Sequence, residues 1–273
     1  MTSFFVCPVC GASFVRDDRI YRCENGHCFD RSRFGYVNFL QSQRSSKKRH
    51  GDDKAMVTAR RDFLNAGFYR PLCERIASLA AQDVSGPVRL LDAGCGEGYY
   101  TDFVRQTLAK TAPPKTAGVD ISKDALRFAA KRSGDIEYAV ASVFKLPVQT
   151  GSVDLLLNLF APVCESEFLR VLKKGGRMVR AFPDQDHLLG LKQAVYETVR
   201  VDEIASVAQN GFAVLEHCRL SYELRLQNQT DIMNLFHMTP YYYKTSRENQ
   251  QKLNGVQTLC TPVAFHIVLF QKI

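Results

Sequence analysis

The stretch Leu90-Leu91-Asp92-Ala93-Gly94-Cys95-Gly96-Glu97-Gly98-Tyr99-Tyr100 constrains this chain more than any other. A short apolar run from Val88 ends in an acid at Asp92, three glycines follow at alternate positions, and a helix is predicted from near Gly98. Glycine lets the backbone turn sharply and lets another group come close without meeting a Cβ. A strand, a tight turn facing a ligand and a helix are therefore expected in that order. The alternation continues downstream, with strands predicted over 116–120, 136–141, 153–160 and 177–182 and helices over 124–132 and 165–172. Such alternation implies a mostly parallel sheet with helices on both faces.

Upstream, Met56, Ala59, Arg60, Phe63 and Leu64 recur at three- and four-residue spacing. This predicts a helix from about residue 52 that Gly67 stops, with a second over 71–81. Toward the end a helix is expected to begin at 201, and two strands over 212–226 and 264–270 should close the sheet antiparallel. Tyr241-Tyr242-Tyr243 offers rings for packing or for stacking on a base.

At 273 residues the chain suffices for one full α/β domain and a small appendage. No stretch approaches the ~20 apolar residues of a membrane span, and Met1 to Cys7 does not read as an export signal. A cytoplasmic protein with no membrane partner is expected. The net charge of +8 is compatible with a polyanionic partner without requiring one.

Nine cysteines, an odd number in a chain with no mark of secretion, argue against a disulfide framework. Cys73, Cys95, Cys164, Cys218 and Cys260 stand singly and read as small buried residues. The other four lie within the first 28 residues, in Cys7-Pro8-Val9-Cys10 and Cys23-Glu24-Asn25-Gly26-His27-Cys28. Between them a short hairpin, turning near Asp17-Asp18, would return the chain to the same point. Zinc takes four tetrahedral nitrogen or sulfur ligands, so Cys7, Cys10 and Cys23 would be completed by either His27 or Cys28. So short a segment has too little apolar area to fold unaided, and a metal supplies what its core lacks.

Next come aromatic residues interleaved with arginines (29–40) and then the polar, basic run 41–50, which includes Lys47-Lys48-Arg49-His50. With almost no apolar residues that run cannot bury a core. It is either a solvated linker or a phosphate contact. Three segments result: residues 1–40 as a zinc-binding domain, to which the resemblance given below assigns RNA recognition, 41–54 as a basic linker, and 55–273 as the α/β domain.

The glycine spacing is GxGxG rather than the GxGxxG of dinucleotide-binding turns, and no Lys-Ser/Thr pair follows as in a P-loop. The stretch resembles motif I of the class I S-adenosylmethionine-dependent methyltransferases. Gly118-Val119-Asp120-Ile121-Ser122, Ala141-Ser142 and Lys174-Gly175-Gly176 fall where that superfamily places its ribose acid, its adenine contact and the turn before its fifth strand. The resemblance implies a Rossmann-like α/β domain with a seven-stranded, mostly parallel sheet behind a small zinc-ribbon-like domain. It also implies that Asp92, Gly94, Gly96, Gly98, Asp120 and Ser142 bind S-adenosylmethionine.

A narrower resemblance covers nearly the whole chain. Phe34-Gly35-Tyr36-Val37-Asn38, 59–69, Cys95 to Tyr100, Ala161-Pro162 and Met238-Thr239-Pro240 are similar to the bacterial large-subunit ribosomal RNA guanine-N1 methyltransferases. That family implies one zinc ion on Cys7, Cys10, Cys23 and His27, with Cys28 a departure from its pattern. It implies cofactor contacts at Tyr69, Gly96, Glu97 and His187, and a hairpin in domain II of 23S rRNA as the substrate. Asn158 and Phe160, in the loop where base methyltransferases hold their target, are expected to touch an extruded guanine. Glu165 and Glu167 read as acids of a helix start. Methyl transfer to guanine N1 also requires loss of the N1 proton, and the sequence names no base for it. Two rival readings stay open: a methyltransferase of a small molecule, and a zinc-ribbon RNA- or protein-binding module on an idle methyltransferase fold. The sequence also leaves open which guanosine is chosen and whether two copies form a homodimer.

Overall fold

The computed structural model describes residues 2–16, 19–40, 51–199 and 206–273. The basic run 41–50, the turn at Asp17-Asp18 and the helix start expected at 201 lie outside the described residues.

The N-terminal segment folds into four short strands, β1 (Thr2–Val6), β2 (Ser13–Arg16), β3 (Ile20–Cys23) and β4 (Cys28–Asp30), paired antiparallel in that order. A fifth strand, β5 (Tyr36–Asn38), leaves this sheet and joins the large one.

The α/β part begins with α1 (Lys54–Asn65), whose N-cap Asp53 accepts from the Met56 N–H at 2.9 Å. Such a cap satisfies one of the amide groups that a helix start leaves unpaired. Then come α2 (Arg70–Ala81), β6 (Arg89–Ala93), α3 (Tyr99–Leu108), β7 (Lys115–Asp120), α4 (Lys123–Arg132), β8 (Ile136–Val140), β9 (Val153–Leu159), α5 (Glu165–Val171), β10 (Leu172–Pro183) and α6 (Leu189–Val195). The chain closes with β11 (Phe212–Leu226), α7 (Gln229–His237), α8 (Tyr241–Lys244), α9 (Arg247–Gln251) and β12 (Leu259–Lys272). The closing strand is longer than the 264–270 expected because β11 pairs with it antiparallel from Leu259 to Lys272, whereas β10 pairs with it only from Phe265 to Gln271. No helix among the described residues is long and apolar enough to cross a membrane.

The large sheet runs β11-β12-β10-β9-β6-β7-β8-β5. It is parallel from β10 through β5, with β11 and β12 antiparallel at the far edge. Eight strands replace the seven expected because β5 pairs with β8, matching Tyr36 to Tyr138 and Asn38 to Val140.

Successive strand residues point to opposite faces, and the two faces are covered differently. Leu90, Leu155, Leu157, Val179, Ile267 and Leu269 pack under α1, α2, α3, α6 and α7. On the other face Leu91, Ala117, Ala139, Leu156 and Met178 share one core with Phe4, Phe5, Phe14, Tyr21 and Phe39. No helix interrupts the β8–β9 connection, and the four-stranded segment takes that position on the sheet. Phe39 stacks on Phe14 and meets Phe5, Tyr21 and Phe29 edge-on. Glu137 on β8 fastens the two parts together, accepting from the Ser3 hydroxyl (2.8 Å) and the Phe4 N–H (3.0 Å).

Candidate metal centre and active site

The ligand atoms of Cys7, Cys10, Cys23 and His27 all lie within 4.8 Å of one another. Cys10 Sγ is 3.7 Å from Cys23 Sγ, which is 3.4 Å from His27 Nδ1. Tetrahedral zinc, with bonds of ~2.3 Å to sulfur and ~2.0 Å to nitrogen, spaces its ligand atoms roughly 3.5–3.8 Å apart. The donor set fits one zinc ion. Asn25 and the Ala12 N–H lower the Cys10 thiol to about 6, toward the thiolate that binds metal. Cys28, the alternative fourth ligand, is corrected. It sits on β4, outside the cluster, with its thiol directed at the Gly26 carbonyl. His27, in the turn just before β4, brings its Nδ1 into the cluster, whereas Cys28 opens the strand on its exposed side.

At the carboxyl end of the parallel strands, the Asp120 carboxylate ties two loops together. One oxygen accepts from the Gly96 N–H (2.9 Å), the other from the Ser122 N–H (2.7 Å). Each oxygen keeps a lone pair, the right acceptor set for a vicinal diol. Burial raises the Asp120 carboxyl, and the two amide bonds oppose that rise.

Asp92 is buried and accepts from the Thr101 hydroxyl at 2.6 Å, while its Oδ1 has no partner among the described residues. Burial pushes its carboxyl up to about 7. A buried acceptor left single in this way points to a donor brought by a ligand. Glu97 pairs with Arg132 at 2.5 Å, and its Oε1 is likewise unpartnered among the described residues.

The glycines serve different purposes. Gly94 (φ +97°) runs so close to the next loop that an added Cβ would lie 2.3 Å from Ala161 Cβ. Gly96 (φ +55°) would meet nothing within 4 Å, so its face is open to a ligand. Ser142 caps its own turn, accepting from the Phe144 N–H at 3.2 Å.

The other half of the cleft is aromatic. Phe265 on β12 contacts Tyr69, Phe160 and His187, with ring centres 5.2, 5.7 and 4.6 Å away. Phe160 stands in left-handed backbone (φ +56°) just past β9, and its ring is partly exposed. His187 Nδ1 accepts from the Ala264 N–H at 3.3 Å, and its Nε2 faces the Tyr69 hydroxyl at 3.5 Å. Burial, aided by Lys192, holds the imidazole down to about 3. The ring is neutral near pH 7, and the Ala264 bond assigns its proton to Nε2. Asn158 is buried, its amide donating to the carbonyls of Ala93 (3.2 Å) and Pro162 (3.1 Å). It thereby binds the end of β6 to the loop after β9, and its Oδ1 has no partner among the described residues.

Two family models match the chain. The zinc-ribbon family "RlmA, N-terminal" matches residues 5–48, and a methyltransferase-domain family matches 85–253. The 23S rRNA (guanine(748)-N(1))-methyltransferase of Streptomyces fradiae is 38% identical over 192 residues, which is 69% of this chain and 66%, just under two thirds, of that protein. YxjB of Bacillus subtilis, provisionally named a 23S rRNA (guanine-N(1)-)-methyltransferase, is 30% identical over 99% of this chain and 98% of its own length. The chain belongs to the 23S rRNA (guanine-N1)-methyltransferase family. Among solved structures it is similar to YcgJ of Bacillus subtilis, at 14% identity, covering 76% of this chain and 98% of that one with a TM-score of 0.48.

Within this rRNA methyltransferase architecture, the fold brings Asp92, Gly94, Gly96, Gly98 and Asp120 to one cleft and Tyr69, Phe160 and His187 to its other wall. Glu97 turns toward Arg132, and Asn158 turns toward backbone. Sequence reasoning missed Phe265, which centres the aromatic wall. Alternation along β12 gave that residue a face but no partners. It also missed Thr101 and Arg132, whose only signal is that each faces a buried carboxylate.

Proposed function

We propose that this chain transfers a methyl group from S-adenosylmethionine to N1 of a guanosine in a domain II hairpin of 23S rRNA, in the cytoplasm. One observation carries the reading: a polar cleft bearing orphaned acceptors opens directly onto an aromatic wall, on a chain with a zinc ribbon built into its core. A partly exposed aromatic ring next to the residues that would bind the cofactor suits an extruded base.

S-adenosylmethionine supplies an electrophilic methyl group on a sulfonium. This chain's own residues supply binding and alignment, which can account for much of the rate of an in-line displacement. Asp120 holds the ribose hydroxyls with its two remaining lone pairs. Asp92 Oδ1 accepts from the cationic amino group of the methionine part, and Glu97, braced by Arg132, steadies the loop. Gly94 and Gly98 let that loop pass close to Ala161 and Tyr138, Gly96 presents its open face, and Ser142 orders the turn beside the adenine. The His187 Nε2–H donates toward Tyr69, leaving the Tyr69 hydroxyl proton for the cofactor's carboxylate. His187 is therefore a fixed donor, too weak a base to take the N1 proton. Phe160 stacks on the guanine, and Asn158 keeps the Phe160 loop against β6. The ribbon and the basic run 41–50 grip the hairpin backbone.

The ribbon shares a core with the sheet, so cutting it away would expose that face. The clean test uses the full chain. Purified protein with tritium-labelled cofactor should label 23S rRNA at one guanosine N1, and Asp120→Asn should raise the cofactor Kd at least about tenfold, the cost of one or two lost hydrogen bonds. Absence of label from the RNA, with the cofactor bound normally, would overturn the reading.

A further inference from the structure

Of eighteen phenylalanines and eleven tyrosines, three are exposed: Phe144 (61%), Tyr243 (57%) and Phe160 (44%). Isolated apolar residues on a surface are ordinary. Here, however, all three stand at the carboxyl end of the parallel strands. Phe144 follows β8 and Phe160 follows β9. Tyr243 on α8 reaches the end of β7 through two links. Its hydroxyl donates to Asp53 at 2.6 Å, and the neighbouring Asp52 carbonyl accepts from the Ser122 hydroxyl at 2.7 Å.

The loop bearing Phe144 is braced from three sides. The Val6 N–H of the ribbon donates to the Pro147 carbonyl (2.9 Å). The Leu146 N–H donates to Glu167 (2.6 Å), and Arg170 donates to the carbonyls of Leu146 (2.8 Å) and Val148 (2.7 Å). The loop is thus fixed while its aromatic tip faces water. An exposed lysine follows each outer ring, Lys145 after Phe144 and Lys244 after Tyr243.

A rigid ring beside a cation matches a nucleobase and its phosphate. We infer that Phe144 and Tyr243 are stacking platforms for unpaired nucleotides on either side of the guanosine that enters at Phe160, with Lys145 and Lys244 on the adjoining phosphates. The inference rests on the reading of the chain as an rRNA methyltransferase and assigns the part of the RNA that this rim holds.

The test uses the full chain and a transcript of the 23S domain II hairpin. Phe144→Ala and Tyr243→Ala should each weaken hairpin binding about tenfold, as loss of one stacked base does, and raise KM for the RNA. The kcat, the cofactor Kd and the melting temperature should not move. Phe144→Trp and Tyr243→Phe keep the ring and should keep the affinity, the latter even without its bond to Asp53. Lys145→Ala and Lys244→Ala should each lower the salt slope of binding by about one. Alanine variants that bind the hairpin within twofold of wild type, while wild type methylates normally, overturn the platforms alone. A loss seen only with assembled ribosomal particles would assign the rings to a protein and overturn them as well. A wild-type chain that labels no rRNA overturns the preceding reading, and this one with it.

Discussion

The metal centre and the aromatic wall of the cleft each gather four side chains, by opposite means. Cys7, Cys10, Cys23 and His27 lie within one short stretch, and two knuckles on neighbouring hairpins bring them together. Tyr69, Phe160, His187 and Phe265 come from the α1–α2 turn, the end of β9, the turn after β10 and the middle of β12. A single ion can hold the first group, because ligation energy acts on a chain with little core of its own. The second group is held by the whole sheet, whose core exists whether or not a ligand is bound. A site made by local geometry is stabilised by what it binds, and a site made by topology is stabilised by the fold beneath it.

Metal removal should show the largest difference. Structural zinc contributes on the order of 10 kcal/mol to folding of small modules. Chelation or Cys23→Ser should therefore melt the ribbon. Because Phe4, Phe5 and Tyr21 lie in the same core as Leu91 and Ala117, the melting temperature of the whole chain should fall with it. Hydrogen exchange at Phe4, Phe5 and Tyr21 is the measurement. Retained protection there after the zinc is gone would show that the sheet, not the ion, holds the ribbon.

The cofactor loop should respond next, to a change of one methyl group. Gly94→Ala places a side chain at φ +97° with its Cβ 2.3 Å from Ala161 Cβ. Backbone strain and overpacking together should cost roughly 2–5 kcal/mol, read from urea unfolding. A loss below about 1 kcal/mol would mean that the Ala161 loop yields easily.

A smaller effect separates the polar half of the cleft from the aromatic half by pH. Burial raises Asp92 to about 7, so the folded chain holds that proton more tightly than the unfolded chain. The resulting stability is present below about pH 4 and lost as pH rises through 7. His187, held down to about 3 by burial, has the opposite sign: its share is present above about pH 6.5 and lost as pH falls toward 3. Asp92→Asn should therefore stabilise the cofactor-free chain at pH 8 by about 2 kcal/mol and change little at pH 4. That is about half of what the full shift would give, because the new amide is itself buried. Wild-type cofactor affinity should rise with pH through 7, as Asp92 ionises to meet a cation. An affinity independent of pH between 6 and 8 would remove Asp92 from that role.

The same contrast explains what the sequence could disclose. Asp92, Asp120 and the glycines were readable because a strand that ends in an acid before a glycine turn places them without help from the rest of the chain. β5 was not readable as part of the large sheet: a three-residue strand has no period of its own, and its partner β8 lies about a hundred positions away. Phe265 was hidden for a related reason. Every second residue of β12 faces the same side, and only the crossing of β9, β10 and the α1–α2 turn singles one out. Glu97 and Asn158 were readable as positions beside the glycine loop and after β9, but not their directions, which Arg132 and the Ala93 and Pro162 carbonyls set.

Cys28→Ser should show the smallest effect. Two residues offered themselves as fourth ligand, and they are neighbours in sequence, so composition and spacing could not separate them. The turn geometry does, because β4 begins only at Cys28, whose side chain is exposed with its thiol at the Gly26 carbonyl. His27 meanwhile presents Nδ1 3.4 Å from Cys23 Sγ. Serine replaces the thiol with a hydroxyl that can make the same bond in the same exposed place, so stability should change by less than about 0.5 kcal/mol and zinc content should not change. His27→Ala, which removes a ligand, should release the metal to a mild chelator far faster than wild type. If Cys28→Ser loses zinc while His27→Ala keeps it, the ribbon closes on its ion through the other face of β4, and the hairpin register must differ by one residue from the one described.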